Sequence, residues 1–330
     1  MTKRFLNSLL KLHPKFEGKK VAVVGDMMLD SYFIGNVKRI SPEAPVPVIE
    51  VDKEIFRFGG AANVAYNLVS LGAKAFPIGL IGSDDNGAIL SSLVQEASID
   101  EKGLIIDSSR PTTAKTRVIA ESQHIVRIDK ESKTHIDKKT EKKIIAYFEE
   151  LADDLDAVIL QDYNKGVLTK TVIKKIIDIA RKKNLIITVD PKFENFFEYK
   201  NATVFKPNKK ETEDAFGIRI ETEKNIFEAG SKLLRRLNAE HILLTLGAEG
   251  IALFGKEIDE QRIPTKARNV ADVSGAGDTV ISTLTVALCA GADIKQAAYL
   301  ANLAGGIVCE EIGIVPIETE KLFNAIEKEF

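Results

Sequence analysis

The sequence predicts an α/β fold with a mostly parallel central sheet, helices on both of its faces and a small β-lid. The first observation is a series of short apolar runs at residues 21–25, 75–81, 157–161, 185–190, 203–206 and 241–245. The second is that helix-period segments separate several of these runs, at residues 61–71, 87–97, 138–151, 169–183 and 226–237. Continuous apolar strands that alternate with helices are typical of a parallel sheet buried on both faces.

Each apolar run stops at a glycine or a polar residue, and polar side chains follow at once. Because ligands bind beyond the carboxyl ends of the strands in such sheets, these side chains should gather at one edge. The residues concerned are Asp26, Asp30, Asp162, Asp190 and Asn208.

Two segments interrupt the alternation of strands and helices. Residues 31–57 contain three prolines and alternating valines, which predicts extended strands and turns. Residues 112–129 form two alternating runs around Glu121 and Ser122, as in a hairpin. Together they predict a small sheet that projects as a lid, although a hairpin at the edge of the central sheet remains an alternative. Because we find no linker or repeat, we expect residues 1–330 to form one domain with this lid.

Composition and charge exclude several classes of protein. The chain has 330 residues, 45% of them hydrophobic and 28% charged, with a net charge of −2. This balance gives no basic surface for nucleic acid or an acidic membrane. No apolar stretch reaches the roughly 18 residues of a membrane span, and residues 1–20 lack the apolar core of a signal peptide. We therefore expect a cytoplasmic protein with no nucleic-acid or membrane partner.

The cysteines and histidines predict neither a disulfide nor a metal centre. Cys289 and Cys309 lie in apolar helical surroundings, where we expect small core residues. The four histidines are scattered along the chain.

The most informative motif occupies residues 272–279, which read Asp-Val-Ser-Gly-Ala-Gly-Asp-Thr before a long apolar run. If a helix begins here, the amides of Gly275, Ala276 and Gly277 form an anion site at its positive end. Asp278 would stand at the edge of that site. A carboxylate there can take a proton from a hydroxyl while the amides stabilise a phosphoryl group. An aspartate that caps the helix is the alternative from these residues alone.

This motif resembles the second signature of the ribokinase/PfkB family of sugar kinases. Three further family elements have counterparts in the expected order, at residues 59–65 (GGAANVA), 206–211 (KPNKKE) and 245–250 (TLGAEG). The resemblance runs from about residue 21 to residue 315. It implies a ribokinase-like three-layer α/β/α fold and an ATP-dependent kinase that uses Mg²⁺.

The family resemblance also implies roles for individual residues. Asp278 is the implied catalytic base, and Gly275, Ala276 and Gly277 supply the anion-binding amides. The implied ATP contacts are Asn208, Glu211, Thr245, Gly247 and Gly250, with Glu211 positioning Mg²⁺ through water. The implied sugar contacts are Asp30, Gly59, Gly60 and Asn63, and Asp272 is a candidate for a K⁺ loop. As plain structure, Asn208 and Glu211 would start a helix, Asp30 would cap a loop, and residues 245–250 would form a turn.

Further segments resemble a bacterial subgroup, the D-β-D-heptose 7-phosphate kinases. They are residues 25–32 (GDMMLDSY), 39–48 (RISPEAPVPV), 110–117 and 162–168. This likeness implies transfer of the ATP γ-phosphate to O1 of the heptose, which gives heptose 1,7-bisphosphate for lipopolysaccharide core synthesis. A kinase of another sugar and a non-catalytic sensor are the alternatives. Many relatives carry a second, nucleotidyltransferase domain, so both a stand-alone kinase and an excised domain remain open.

A sugar phosphate as substrate requires cations at the end of the sugar pocket opposite Asp278. The candidates are Lys115, Arg117, Arg127, Lys165 and Lys192. Lys192 is the first choice because it follows a strand that ends in Asp190 and Pro191. Asp162 and Lys165 are also candidate substrate contacts, but an internal ion pair would explain either of them equally well, and the same holds for Asp190 and Lys192. We expect a homodimer that pairs through the lid, because exposed strand edges are normally covered.

Overall fold

Two sheets and ten helices are found in the part of the chain that the computed structural model describes, residues 2–121, 123–256, 258–265, 271–311 and 313–328. In chain order the strands are β1 (Lys20–Gly25), β2 (Met27–Ile40), β3 (Pro47–Gly59), β4 (Lys74–Gly82), β5 (Leu104–Asp107), β6 (Thr113–Ala120), β7 (Gln123–Lys130), β8 (Ala157–Gln161), β9 (Ile186–Asp190), β10 (Val204–Phe205), β11 (His241–Thr245), β12 (Ile251–Gly255) and β13 (Ile258–Ile263). The helices are α1 (Lys3–Leu10), α2 (Gly60–Ser70), α3 (Asp85–Glu96), α4 (Lys138–Leu151), α5 (Lys170–Lys182), α6 (Lys209–Phe216), α7 (Glu223–Leu237), α8 (Ala276–Cys289), α9 (Ile294–Val308) and α10 (Thr319–Glu327).

The central sheet has nine strands in the order β13-β12-β11-β10-β9-β8-β1-β4-β5. Its neighbouring strands are parallel except in the pairs β11–β12 and β12–β13, which are antiparallel. The predicted α/β class with a mostly parallel sheet is therefore confirmed. Each of the six predicted runs overlaps one of its strands.

Both faces of this sheet are covered. Alternate residues of β1 belong to different hydrophobic clusters, Val21 and Val23 to one and Ala22 and Val24 to the other. The first cluster contains apolar side chains of α1, α2, α3, α8, α9 and α10. The second contains those of α4, α5 and α7. This period of two follows from the pleat of the strand, and it produces the three layers.

The lid is a separate four-stranded sheet in the order β3-β2-β6-β7. The pairs β2–β3 and β6–β7 are antiparallel, whereas β2 and β6 are parallel. The predicted lid is confirmed, and the alternative of a hairpin at the edge of the central sheet is wrong. Glu121 adopts a left-handed backbone at the turn after β6 (φ 50°), and Ser122, also predicted there, lies outside the described residues.

The cysteines are free thiols, as expected. Both are only half-buried, because Cys289 and Cys309 lie at the carboxyl ends of α8 and α9 instead of at their centres. None of the helices in the described part of the chain is both long enough and apolar enough to cross a membrane.

Candidate active site

The first turn of α8 forms the floor of the candidate site. Gly275 precedes the helix with φ 79°, a left-handed conformation that favours glycine. A Cβ atom at this position would lie 3.2 Å from Cγ2 of Ile314 and 3.3 Å from Nδ2 of Asn63. The glycine therefore allows both the turn and the close approach of α2. In this turn the amide of Ala276, which was expected to bind an anion, donates to the carbonyl oxygen of Val273 across 3.3 Å. The amides of Gly277 and Asp278 have no acceptor within the helix itself and can face an anion.

Asp278 is buried in this first turn and accepts hydrogen bonds from three side chains. Asn63 on α2 donates to Oδ2 across 2.7 Å. Tyr163 donates its hydroxyl to Oδ1 across 2.7 Å, and Nε2 of Gln161 donates to Oδ1 across 3.2 Å. Residues from α2, from the end of β8 and from α8 therefore meet at one carboxylate.

Burial raises the pKa of Asp278 from 3.8 to about 6. The hydrogen bonds from Asn63 and Tyr163 act in the opposite direction because they stabilise the charged form. Asp190 raises the pKa further and Lys206 lowers it. The carboxylate is thus mostly ionised at neutral pH, yet more basic than an exposed aspartate, as a general base requires.

Asp190 ends β9 beside this carboxylate. It accepts a hydrogen bond from Nε2 of Gln161 (3.2 Å) and forms an ion pair with Lys206 (2.9 Å). A single amide group therefore separates the carboxylates of Asp190 and Asp278. A Cβ atom on Gly277 would lie 3.7 Å from Nζ of Lys206 and 3.8 Å from Oδ2 of Asp190, so this ion pair lies directly beside the first turn of α8.

A pocket of about 530 Å³ extends from this floor along the carboxyl ends of the strands. The structure brings Gly275, Ala276, Gly277 and Asp278 together with the residues expected to contact ATP. Those lining residues are Asn208, Glu211, Thr245, Gly247 and Gly250. Gly250 has φ 87°, and a Cβ atom there would lie 2.1 Å from the carbonyl oxygen of Ile263. Only glycine fits this turn without displacing β13.

Asn208 and Glu211 have the helix-starting geometry that the residues alone suggested. Asn208 caps α6, its side chain accepts the amide of Glu211, and Glu211 accepts the amide of Asn208. Lys192 forms an ion pair with the other oxygen of Glu211. A carboxylate has about four acceptor sites. Because these partners take two, two remain, which fits Mg²⁺ held through water.

The expected sugar residues lie where the lid joins the central sheet. Asp30 on β2 is buried and pairs with Arg117 on β6. A Cβ atom on Gly59 would lie 2.2 Å from Oδ2 of Asp30, and one on Gly60 would lie 2.5 Å from the carbonyl oxygen of Asp26. Asn63 follows one helical turn later. The two glycines therefore let α2 start directly against β2 and its carboxylate.

Several candidates have internal partners. Lys192 forms an ion pair with Glu211 and lines the same pocket as Asn208 and Thr245. Lys165 pairs with Glu131 (2.6 Å), and Asp162 accepts the hydroxyl of Tyr199 (2.6 Å). Lys192 and Lys165 therefore form the internal ion pairs that were the alternative, whereas the partner of Asp162 is a hydroxyl group.

Asp272 accepts the amides of Ser274 (2.8 Å) and Gly313 (3.1 Å). Residues 266–270, which precede it, lie outside the described part of the chain. Among the residues that the structure describes, no three His, Cys, Asp or Glu side chains form a group that could hold a metal ion on their own.

Three residues around Asp278 had no assigned role from the sequence: Gln161, Tyr163 and Lys206. Gln161 ends a predicted strand, Tyr163 belongs to the heptose-kinase-like segment, and Lys206 begins the KPN element. Their proximity to strand ends was the available signal. Gln161 and Tyr163 contact Asp278, and Lys206 pairs with the neighbouring Asp190. These contacts depend on the order of the strands, which the sequence alone does not provide.

Comparison with known proteins supports the family resemblance. The model of the pfkB family carbohydrate kinases matches residues 18–320. The bifunctional protein HldE of Desulfatibacillum aliphaticivorans is 43% identical over 307 residues, which are 93% of this chain and 63% of that protein. The protein of the same name from Helicobacter hepaticus is 42% identical over 89% of this chain and 61% of its own length. The chain therefore spans less than two thirds of these relatives.

Solved structures share the fold at lower identity. Arabidopsis thaliana ribokinase, complexed with ribose and ATP, has a TM-score of 0.75 and 18% identity, covering 94% of this chain and 99% of its own. Escherichia coli phosphofructokinase-2 in complex with potassium has a TM-score of 0.74 and 18% identity over the same shares of the two chains. These similarities confirm the ribokinase-like architecture. With the family match over residues 18–320, they establish that the chain belongs to the pfkB family of carbohydrate kinases.

Proposed function

We propose that this chain transfers the γ-phosphoryl group of ATP to O1 of D-glycero-β-D-manno-heptose 7-phosphate. The observation that carries the kinase chemistry is the buried carboxylate of Asp278 at the amino end of α8, on the floor of the 530 Å³ pocket. The heptose substrate rests on the subgroup-like segments at residues 25–32 and 39–48. Similarity to the HldE proteins over 61–63% of their length agrees with a role as their kinase part.

The reaction follows from the position of Asp278. The anomeric hydroxyl oxygen of the sugar attacks the γ-phosphorus, and a new P–O bond forms. The bond from that phosphorus to the bridging oxygen of ADP breaks, and ADP leaves. Asp278 accepts the hydroxyl proton and later releases it to water. The amides of Gly275 and Gly277 stabilise the charge on the transferring group.

Lys192 fits the transferring phosphoryl group better than the sugar phosphate. Burial opposes its charge, but the carboxylates of Asp190 and Glu211 raise the pKa of Lys192 above 10.5. The side chain therefore carries a positive charge next to the catalytic floor. For the 7-phosphate we propose the lid residues Lys115 and Arg117, because Lys115 is the cross-strand neighbour of Asp30 and Arg117 is its ion-pair partner.

Glu211 would hold Mg²⁺ through water, and the ion would neutralise charge on the β- and γ-phosphates.

We propose K⁺ near Asp272 as a second cation. Its requirement is tested by replacing potassium with sodium or choline salts at constant ionic strength. Equal rates in all three salts would remove the cation from this proposal.

A substrate screen tests the proposed function. ADP release is measured with heptose 7-phosphate, unphosphorylated heptose, ribose and fructose 6-phosphate at saturating Mg²⁺–ATP. We expect kcat/KM for heptose 7-phosphate to exceed that for unphosphorylated heptose by at least about tenfold, because charge-assisted hydrogen bonds to the phosphate contribute roughly 1.5–3 kcal/mol each. It should also exceed the values for ribose and fructose 6-phosphate. Preference for another sugar would identify a different kinase of the family. ATP binding without ADP release for any sugar would indicate a sensor.

A further inference from the structure

The hydrogen bonds on Asp278 leave its two oxygens inequivalent. Each carboxylate oxygen offers about two acceptor positions. Tyr163 and Gln161 both donate to Oδ1, at 2.7 and 3.2 Å, so this oxygen is saturated. Asn63 alone donates to Oδ2, at 2.7 Å. The remaining acceptor position of the carboxylate therefore lies on Oδ2, beside Asn63.

Tyr163 is held in place by its own loop. The backbone amides of Tyr163, Lys165 and Val167 all donate to the buried carboxylate of Asp26, across 2.8, 3.1 and 3.2 Å. Asn164 and Gly166 between them adopt left-handed backbones, with φ 54° and 89°, which fold the loop tightly around Asp26. These three hydrogen bonds fix the backbone on both sides of Tyr163, and its hydroxyl group is therefore held next to Asp278.

From this geometry we propose that Tyr163 is a positioning residue that, together with Gln161, occupies Oδ1 of Asp278 and leaves Oδ2 to take the proton of the substrate hydroxyl. This inference rests on the proposed role of Asp278 as the base. The hydroxyl of Tyr163 donates to the carboxylate of Asp278, and the proposed reaction gives this tyrosine no other task.

The loss of the hydrogen bond from Tyr163 to Asp278 should be visible in the pH dependence of the rate. Asp190, Lys206, Lys192 and Tyr163 are the titratable groups that face Asp278. A hydrogen bond to the ionised form lowers the pKa of a carboxyl group, so its removal raises the pKa of Asp278 above its value of about 6. The acidic limb of the rate profile should then move to higher pH, because the base must be ionised to act.

The test compares Tyr163→Phe with a matched control, Tyr199→Phe. Tyr199 donates a hydroxyl to the neighbouring carboxylate Asp162 across 2.6 Å, so the control removes an equally short buried bond that does not touch Asp278. The pKa of Asp162 is also raised to about 6, chiefly by burial, and the control therefore reports any contribution of Asp162 to the profile. We measure kcat between pH 5 and 9 at saturating substrates, with thermal unfolding of each variant.

For Tyr163→Phe we expect the acidic midpoint to rise by roughly one pH unit. We also expect kcat on the plateau to fall about tenfold, with KM for both substrates within about twofold of wild type. Tyr199→Phe should leave the midpoint in place. If Tyr163→Phe does not fold, Gln161→Met tests the occupation of Oδ1 by removing its other donor, although it also removes the hydrogen bond from Gln161 to Asp190.

An unchanged midpoint and kcat in Tyr163→Phe would overturn the positioning role, and so would a midpoint that moves only in Tyr199→Phe. Failure of the base assignment itself is recognised separately, because Asp278→Asn would then remain active.

Discussion

At the residue scale, the proposed chemistry depends on one carboxylate that is buried and accepts several hydrogen bonds. Burial raises the pKa of Asp278 to about 6, and donors from two other elements hold its orientation. A general base is most effective when its pKa lies near the working pH. These conditions make Asp278 the residue whose loss should affect phosphoryl transfer most.

Asp278→Asn is expected to fold, to bind ATP and to lose roughly 10²–10⁴-fold in kcat, because the amide keeps the size of the side chain but not its basic oxygen. The matched control is Asp293→Asn, at the amino end of α9, where asparagine caps a helix as well as aspartate. Steady-state ADP release measures both variants. An Asp278→Asn enzyme within about tenfold of wild-type kcat would rule out the base.

The residues that could be predicted at this scale are those marked by motifs. Asp278, Asn208 and Glu211 were found because their spacing is distinctive. The positions of Tyr163 and Gln161 against Asp278 were not foreseen, since the three residues come together only through the adjacency of β8, β9 and α8. The local pattern after β9 suggested a phosphate contact at Lys192, but it could not reveal the ion pair with Glu211 across the pocket.

At the element scale, the amino end of α8 determines the geometry of the anion site. At this end Gly275 has a left-handed backbone, and a Cβ atom there would lie 3.2 Å from Ile314 and 3.3 Å from Asn63 of α2. A left-handed backbone costs a non-glycine residue roughly 1–2 kcal/mol. A change here should therefore affect both stability and chemistry.

Gly275→Ala is expected to lower the free energy of unfolding by roughly 1–2 kcal/mol and kcat by at least about tenfold. Gly291→Ala is the control, because Gly291 follows the same helix with φ 87°, but a Cβ atom added there would meet no other atom within 4 Å. It should lose similar stability while keeping its kcat. Urea denaturation and the kinase assay measure the two effects. Equal kcat losses in both variants would show that the helix as a whole, and not its amino end, matters.

The elements themselves were largely predictable where their periodicity was strong. The six core strands and the helices between them are examples, with boundaries displaced by a few residues. The antiparallel edge strands β12 and β13 were not predicted, because their formation depends on pairing with β11. Helix α9 was expected only as the apolar helical surroundings of Cys309, without bounds, and it contains Gly305, which local propensity disfavours. A Cβ atom there would lie 2.7 Å from Cγ2 of Val280, so this glycine serves the close packing of α8 and α9.

At the scale of the whole molecule, the lid presents apolar side chains to the outside. Ile40, Val51, Val126 and Ile128 on three of its strands are 44–61% exposed. A sheet with such a surface tends to pair with another chain. We propose that two copies of this chain associate through their lids.

Light scattering at micromolar concentration should therefore give the mass of a dimer. Ile128→Glu should shift the protein toward a monomer, because it places a charge in the proposed interface. Phe227→Glu is the control: Phe227 is 52% exposed on α7, away from the lid. A monomeric wild-type protein, or equal dissociation by both variants, would contradict the proposed interface.

The most direct test of the central claim is ³¹P NMR of the reaction of the purified protein with Mg²⁺–ATP and heptose 7-phosphate. We expect a new phosphate-ester resonance coupled to the anomeric proton, growing in equal amounts with ADP while the 7-phosphate resonance remains. The Asp278→Asn variant should produce neither signal. Two results would contradict the assignment of this chain as an anomeric kinase of heptose 7-phosphate. In the first, the phosphate is transferred to another hydroxyl group; in the second, the formation of ADP does not depend on the sugar.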